Sequence, residues 1–179
     1  MTKLRARRAA SAPVAVRHLH PGDVAAGTRG DRFETLLGSC VAIILTDPRR
    51  TVGAMCHIVH AGPASDGPRE DTTHAGPAMA SMFARLRALG IEPRLCEAYV
   101  YGGGNMFPTL AKGPQVGDRN AGWALGALAD AGVRVLAQDL GGHGYRRLGW
   151  TVGPDAPEVS TVDVRGVDRP TIQRGRGPT

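Results

Sequence analysis

The feature that most constrains the fold is a pair of strand-forming runs separated by only four residues. The runs are Val41–Thr46 (VAIILT) and residues 51–59 (TVGAMCHIV), and the sequence DPRR lies between them. Aliphatic and β-branched residues favour strands, and Asp-Pro favours a turn, so the pattern predicts an antiparallel hairpin. Both faces of the two runs are apolar. The hairpin is therefore expected in the middle of a sheet that is covered on both sides.

The length of the predicted turn determines which side chains face each other across the hairpin. If residues 47–50 form the loop, Thr46 pairs with Thr51 and Cys40 pairs with His57. Directly opposed residues of an antiparallel pair have Cβ atoms about 4.5–5.5 Å apart. A thiol and an imidazole at that distance can exchange a proton. A slip of one residue would turn them to opposite faces.

This pairing makes Cys40 a candidate nucleophile with His57 as its base. A free thiol has a pKa near ~8.5, and an adjacent imidazole can take its proton, stabilise the thiolate as an ion pair and later protonate a leaving group. Gly38 and Ser39 have little side-chain bulk, so a substrate can approach and backbone N–H groups can point at an oxyanion. Thr35 is the candidate to orient the imidazole, with Ser39 as the alternative.

A second interpretation of Cys40 is that it fills a core, because cysteine is among the most buried residue types. Cys56 and Cys96 are expected to be core residues of this kind. Three cysteines without a C-x-x-C pair support neither a disulfide framework nor a zinc site. No metal or organic cofactor is therefore expected, and free thiols are typical of a reducing cytoplasm.

The formal charge of +6 is concentrated in the two tails. Residues 1–17 contain five basic side chains and no acidic one, and residues 165–179 contain four arginines and one aspartate, so the rest of the chain carries about −2. A folded nucleic-acid binder usually carries a basic stripe with stacking aromatics, and this chain is only 4% aromatic. We therefore expect disordered basic tails at 1–16 and 165–179, one domain over 17–164, no nucleic-acid partner and no membrane insertion.

Further strand and helix signals alternate along the domain. A helix is predicted from a Thr73 cap through the apolar positions of 79–89, and a second over 121–132. Strands are predicted at 95–101, 133–139, 145–152 and 158–164. This order predicts a single α/β domain in which a mixed β-sheet is covered by at least two helices.

Four motifs resemble the CheD family of bacterial chemotaxis proteins, the chemoreceptor glutamine deamidases. They are TLLGSCVAIILTDP followed by VGAMCHIV, then YVYGGGNMF, VGDRN and DLGGHGYRR, and they occur in the order and spacing of that family. The resemblance covers about residues 18–164. The VGDRN element, whose Gly-x-Arg-Asn spans 117–120, is expected to precede the second helix.

The resemblance implies a fold, a reaction and partners. The fold would be an α/β sandwich distantly similar to glutamine-deamidating bacterial toxins. The substrates would be glutamines on cytoplasmic helices of chemoreceptors, which Cys40 and His57 would convert to glutamate through a thioester with release of ammonia. The third catalytic residue of the family falls on Thr35. Some family members also act on methyl esters, and some bind a CheC-type phosphatase.

Other residues near these motifs are weaker candidates. The glycine cluster 102–104 can let a substrate helix approach, so Gly103, Asn105 and Asn120 join Gly38 and Ser39 as candidate substrate-binding residues. Hydrogen bonds that hold loops are an equally good role for the asparagines. Two alternative functions also remain: a non-catalytic regulator of a chemotaxis phosphatase, and a different thiol enzyme such as a peptidase or transamidase.

Overall fold

A computed structural model describes residues 15–62, 71–106, 113 and 115–163, together with the backbone of 171–173. The strands are β1 (Val16–His18), β2 (Val24–Thr28), β3 (Arg32–Leu37), β4 (Val41–Thr46), β5 (Val52–Ile58), β6 (Glu97–Gly102), β7 (Arg134–Leu140), β8 (Gly144–Thr151), β9 (Glu158–Asp163) and β10 (Thr171–Gln173). The helices are α1 (Ala75–Ala88) and α2 (Val116–Asp130).

The strands form two five-stranded sheets of mixed direction. The central sheet has the order β2-β5-β4-β6-β7, and the outer sheet has the order β1-β3-β8-β9-β10. In the central sheet only β6 and β7 are parallel, whereas in the outer sheet only β1 and β3 are parallel. The prediction of a single α/β domain built on a mixed sheet with two helices is confirmed, and the second sheet completes the sandwich.

Strands β4 and β5 lie at the centre of the sandwich, as their composition predicts. Every residue of both strands is buried. Side chains at odd positions of β4, such as Ile43, join α1 and α2 in one core cluster. Even positions, such as Ile44, join Phe33, Leu148 and Trp150 of the outer sheet in a second cluster. The central sheet is therefore covered by helices on one face and by the outer sheet on the other.

One contact between the sheets requires a glycine. Trp150 of β8 is 1% exposed and lies against Gly53 of β5. A Cβ at position 53 would overlap the indole ring, so this strand carries glycine at a position where a β-branched residue would otherwise be favoured.

The two helices begin at different residues from those predicted. The cap of α1 is His74 and not Thr73, and α1 ends at Ala88, just before Gly90, which has φ +79°. Helix α2 begins at Val116, five residues earlier than predicted, because Gln115 and Asp118 form a capping box there. The Gly-x-Arg-Asn element of 117–120 therefore lies in the first turns of α2 and does not precede it.

The N-terminal part of the domain contains three strands that the sequence pattern did not reveal. Strand β1 begins at Val16, and β2 and β3 precede the hairpin. At the other end, the backbone of Thr171–Gln173 pairs antiparallel with β9, although these residues fall in the segment expected to be a disordered tail. Residues 1–14, 165–170 and 174–179 of the two tails lie outside the described residues.

Candidate active site

The hairpin register differs from the predicted one by two residues. His57 pairs with Ala42, and the last pair before the turn is Thr46 with Gly53. The predicted direct pairing of Cys40 with His57 is therefore wrong. Because a shift of two residues preserves the face, Cys40 and His57 still lie on the same side of the sheet as diagonal neighbours. Such neighbours are typically about 7–8 Å apart, with Cβ atoms somewhat closer.

The side chain of Asp47 explains the longer turn. Its carboxylate accepts hydrogen bonds from the backbone N–H groups of Arg49, Thr51 and Val52 at 3.1, 2.7 and 2.8 Å. The chain therefore wraps around the carboxylate before β5 can begin. These bonds lower the pKa of Asp47 despite the opposing effect of its partial burial.

Thr35 reaches His57 from the outer sheet. Its Oγ1 lies 2.8 Å from Nδ1 of His57 and 2.7 Å from the carbonyl oxygen of Leu19. A hydroxyl has a single hydrogen, and the carbonyl can only accept, so Thr35 donates to Leu19 and accepts from Nδ1–H of His57. This hydrogen-bond network assigns the neutral tautomer in which Nε2 carries the lone pair.

The imidazole of His57 is held as a neutral base. His57 is 2% exposed, and burial lowers its pKa, while the Leu19 carbonyl and the charge of Asp23 oppose this shift. Its Nε2 has no hydrogen-bond partner within the described part of the chain. At neutral pH this nitrogen can therefore accept a proton.

The three cysteines differ in exposure and acidity. Cys40 is half-buried, and burial raises the pKa of its thiol. Cys56 is completely buried on the helix side of the central sheet, and its pKa is raised to about 12, while the pKa of Cys96 is raised to about 11. Both are core residues, as predicted. For Cys40 and His57 the directions of these pKa shifts favour a neutral thiol and a neutral imidazole over the predicted ion pair.

The segment Gly38-Ser39-Cys40 is held by hydrogen bonds to all three of its carbonyl oxygens. Gly104 N–H donates to Gly38 at 2.8 Å, Gly103 N–H donates to Cys40 at 2.8 Å, and Nδ2 of Asn120 donates to Ser39 at 3.0 Å. The backbone around the thiol is therefore fixed from one side by the glycine cluster and by α2.

The candidate substrate-binding residues occupy different positions. Gly103 is buried against α2, where a Cβ would lie 2.9 Å from the carbonyl oxygen of Gly117. Asn120 is 1% exposed and uses its amide to hold Ser39 and Val59, so its role here is to tie loops and not to contact a substrate. Asn105 is half-buried, and its N–H donates to the carbonyl of Gly142.

Cys40, His57 and Thr35 line one cleft of about 1330 Å³. Gly38 and Ser39 are not among its lining residues. The cleft extends over the outer sheet, where Leu36 is 55% exposed and pairs with Arg147 across the strands. Leu36, Arg147 and the carbonyl of Leu19 were missed by sequence reasoning. No sequence signal marks a backbone carbonyl, and the two side chains could be recognised only once β3 and β8 were known to be neighbours.

Two further findings concern the described residues only. They contain no group of three His, Cys, Asp or Glu side chains arranged to hold a metal ion. None of the helices in this part of the chain is long and apolar enough to cross a membrane.

Comparison with known proteins identifies the family. Residues 61–153 match the family model described as CheD chemotactic sensory transduction. The chain belongs to the CheD family. A protein of Albidiferax ferrireducens named probable chemoreceptor glutamine deamidase CheD 2 is 36% identical over 134 residues, which cover 73% of this chain and 78% of that protein.

Two more relatives carry the CheD name. A probable chemoreceptor glutamine deamidase CheD of Pseudomonas savastanoi is 37% identical over 133 residues, covering 73% of this chain and 75% of that protein. A probable chemoreceptor glutamine deamidase CheD of Methanococcus vannielii is 34% identical over 127 residues, which cover 71% of this chain and 82% of that protein. The CheD resemblance predicted from the motifs is therefore confirmed. The family model begins after His57, so its match does not include Thr35, Cys40 or His57.

Proposed function

We propose that this protein is a cysteine hydrolase that deamidates glutamine side chains of chemoreceptors to glutamate. The observation that carries the proposal is the hydrogen bond from Nδ1 of His57 to Thr35, in the same cleft as the Cys40 thiol. This bond leaves Nε2 as an unprotonated base in a residue that lines the same cleft as Cys40. The names of the CheD relatives, probable chemoreceptor glutamine deamidases, supply the substrate class.

The first half of the reaction forms a thioester. His57 Nε2 removes the Sγ–H proton as the sulfur attacks the carboxamide carbon, and the carbonyl oxygen gains negative charge. The C–N bond then breaks, and His57 gives its proton to the departing nitrogen, which leaves as ammonia.

The second half restores the thiol. His57 removes a proton from water as its oxygen attacks the thioester carbon. The C–S bond breaks, the sulfur recovers the proton from His57, and the product is glutamate. No step requires an oxidant, a reductant or a cofactor.

The backbone N–H of Cys40 is the donor that we assign to the oxyanion. In a trans peptide the N–H points away from the preceding carbonyl. Asn120 holds the Ser39 carbonyl, so the Cys40 N–H points away from Asn120, and it donates no hydrogen bond within the described residues. A donor already oriented at the nucleophile stabilises a tetrahedral intermediate without reorganisation.

The substrate and compartment follow from the same proposal. A cleft that spreads over an open sheet face suits a glutamine presented on a helix surface better than a free small molecule. The reaction would take place in the cytoplasm, where three unpaired thiols stay reduced.

The test is incubation of the purified protein with a chemoreceptor cytoplasmic fragment, followed by ammonia measurement and peptide mapping. We expect glutamine to be converted to glutamate by the wild type and not by Cys40→Ala or His57→Ala. Cys56→Ala, the same substitution on the far face of the sheet, is the matched control and should retain activity. Undiminished ammonia release by Cys40→Ala would refute the proposal.

The same assay separates the alternative functions. Cleavage of the fragment would indicate a peptidase. Binding of a CheC-type phosphatase without ammonia release by the wild type would indicate a purely regulatory protein.

A further inference from the structure

Asn120 is the residue that joins the segments carrying the two proposed reacting groups. Its Nδ2 donates to the carbonyl of Ser39 at 3.0 Å and to the carbonyl of Val59 at 2.9 Å. Ser39 precedes Cys40, and Val59 follows His57 by two residues. An amide NH₂ has two hydrogens, so both of its donors are used in this bridge.

The bridge stands where the hairpin ladder ends. The last pair of β4 and β5 at this end is Val41 with Ile58, so Ser39 and Val59 lie just beyond it. Ser39 and Val59 both present carbonyl oxygens to the gap between the two segments, and two acceptors cannot form a hydrogen bond with each other. The Asn120 amide enters this gap from the first turns of α2, and its two N–H groups donate to the two carbonyl oxygens.

The position is rigid because Asn120 is buried at 1% exposure. The neighbouring carbonyls of Gly38 and Cys40 are held separately by Gly104 and Gly103, so the peptide of this segment that Asn120 holds is Ser39–Cys40. A rotation of this peptide would move both the sulfur and the Cys40 N–H relative to the imidazole.

We infer that Asn120 is a positioning residue for the deamidation reaction, an inference that rests on the proposed function. It aligns the Cys40 thiol with Nε2 of His57 and directs the Cys40 N–H toward the oxyanion, and it does so without touching the substrate. Its loss therefore lowers kcat and leaves KM for the receptor fragment nearly unchanged. A misplacement of about 1 Å at a reacting atom can reduce a rate about 100-fold.

The test compares Asn120→Ala with Thr46→Val in the full-length protein. Thr46 is buried at the other end of the same strand pair, where its hydroxyl donates to the carbonyl of Val52 at 2.9 Å. Both substitutions remove buried hydrogen bonds of the hairpin, but only one lies at the cleft. We expect kcat to fall about 100-fold in Asn120→Ala, with KM within about twofold, and to be unchanged in Thr46→Val at temperatures where both are folded.

A second readout does not depend on amidase activity. The rate at which iodoacetamide alkylates Cys40 is measured across pH in the wild type, Asn120→Ala and His57→Ala. If Asn120 aligns the thiol with its base, the pH profile of Asn120→Ala resembles that of His57→Ala. A profile identical to that of the wild type overturns the inference.

Two provisions keep the outcomes distinct. Should Asn120→Ala fail to fold, Asn120→Ser, which retains one donor, decides by the same measurements and should give an intermediate kcat and pH profile. If the wild type releases no ammonia but the alkylation profiles differ as expected, the proposed function fails while the positioning role of Asn120 stands. If the wild type is active and the alkylation profiles do not differ, the proposed function stands and the positioning role of Asn120 fails.

Discussion

The two sheets differ in how they are enclosed. In the central sheet β4 and β5 are buried at every position, whereas β3 of the outer sheet alternates between buried residues and residues that are half-buried or exposed. The proposed active site lies where the sheets meet: His57 comes from the enclosed sheet, Thr35 from the open one, and Cys40 from the segment that connects β3 to β4. The enclosed sheet provides a fixed base, and the open sheet provides access. Substitutions in the enclosed sheet and in the open sheet should therefore lower the free energy of unfolding by different amounts.

The largest effect is expected where the two sheets are packed together. Trp150→Ala removes the largest side chain of the inter-sheet cluster and should lower the free energy of unfolding by about 3–5 kcal/mol, because the lost contacts leave a cavity. Urea denaturation measures this change. Trp123→Ala, which removes a half-buried indole from α2, is the control and should cost less. Equal losses would mean that the two sheets are not the tightly packed unit described above.

A smaller effect is expected at the hydrogen bond between the sheets. Thr35→Val preserves shape but leaves the Leu19 carbonyl and Nδ1–H of His57 without their partner, which should cost about 1–3 kcal/mol. Ammonia release should fall as well, because the imidazole is no longer held in one tautomer. Thr35→Ser, which keeps the hydroxyl, should retain more activity. Full activity in Thr35→Val would contradict the orienting role.

The pH dependence of stability should report on the buried imidazole. Burial lowers the pKa of His57 in the folded state below its unfolded value of 6.5, so the unfolded chain binds this proton more readily. Folding stability should therefore decrease as pH falls below 6.5 and stay level above it. We expect His57→Gln to lose less stability than the wild type between about pH 7.5 and about pH 5.5 in urea titrations. Parallel curves for the two proteins would show that this imidazole is not buried and neutral.

The smallest effect is expected on the open face. Leu36→Ser replaces a side chain that is 55% exposed, so stability should change by no more than about 0.5 kcal/mol. Differential scanning calorimetry measures this change. Leu37, at the next position of β3, is fully buried, so Leu37→Ser should lower the stability much more than Leu36→Ser. A large loss at Leu36 would mean that this face is covered.

Local patterns in the sequence predicted the parts of the fold that depend on neighbouring residues. Strand β4 has the predicted bounds, and β5 differs from its prediction by one residue at each end, because unbroken apolar runs and an Asp-Pro turn are local signals. The register escaped prediction because a side chain, Asp47, sets the turn length through its hydrogen bonds. The outer sheet could not be predicted as a separate sheet, because β3 pairs with β8, more than a hundred residues away.

The candidate site also combines residues that local sequence patterns predicted with contacts that they did not. Cys40, His57 and Thr35 were selected from proximity in sequence and from the hairpin pattern, and the structure brings all three to one cleft. A loop-holding role for Asn120 was one of two roles predicted, but its partners Ser39 and Val59 were not foreseen, since they are 81 and 61 residues away. Arg146 belongs to the DLGGHGYRR motif, and its buried guanidinium donates to Asp139 of the central sheet.

The bridge made by Asn120 also bears on the order of folding. Thr35 and His57 are separated by only 22 residues, so the strands that carry them can meet early, at a low cost in loop-closure entropy. The amide that fixes Ser39 lies 81 positions further along the chain and arrives only when α2 docks. A nascent chain would thus bring Thr35 and His57 together before the docking of α2 fixes the Ser39–Cys40 peptide.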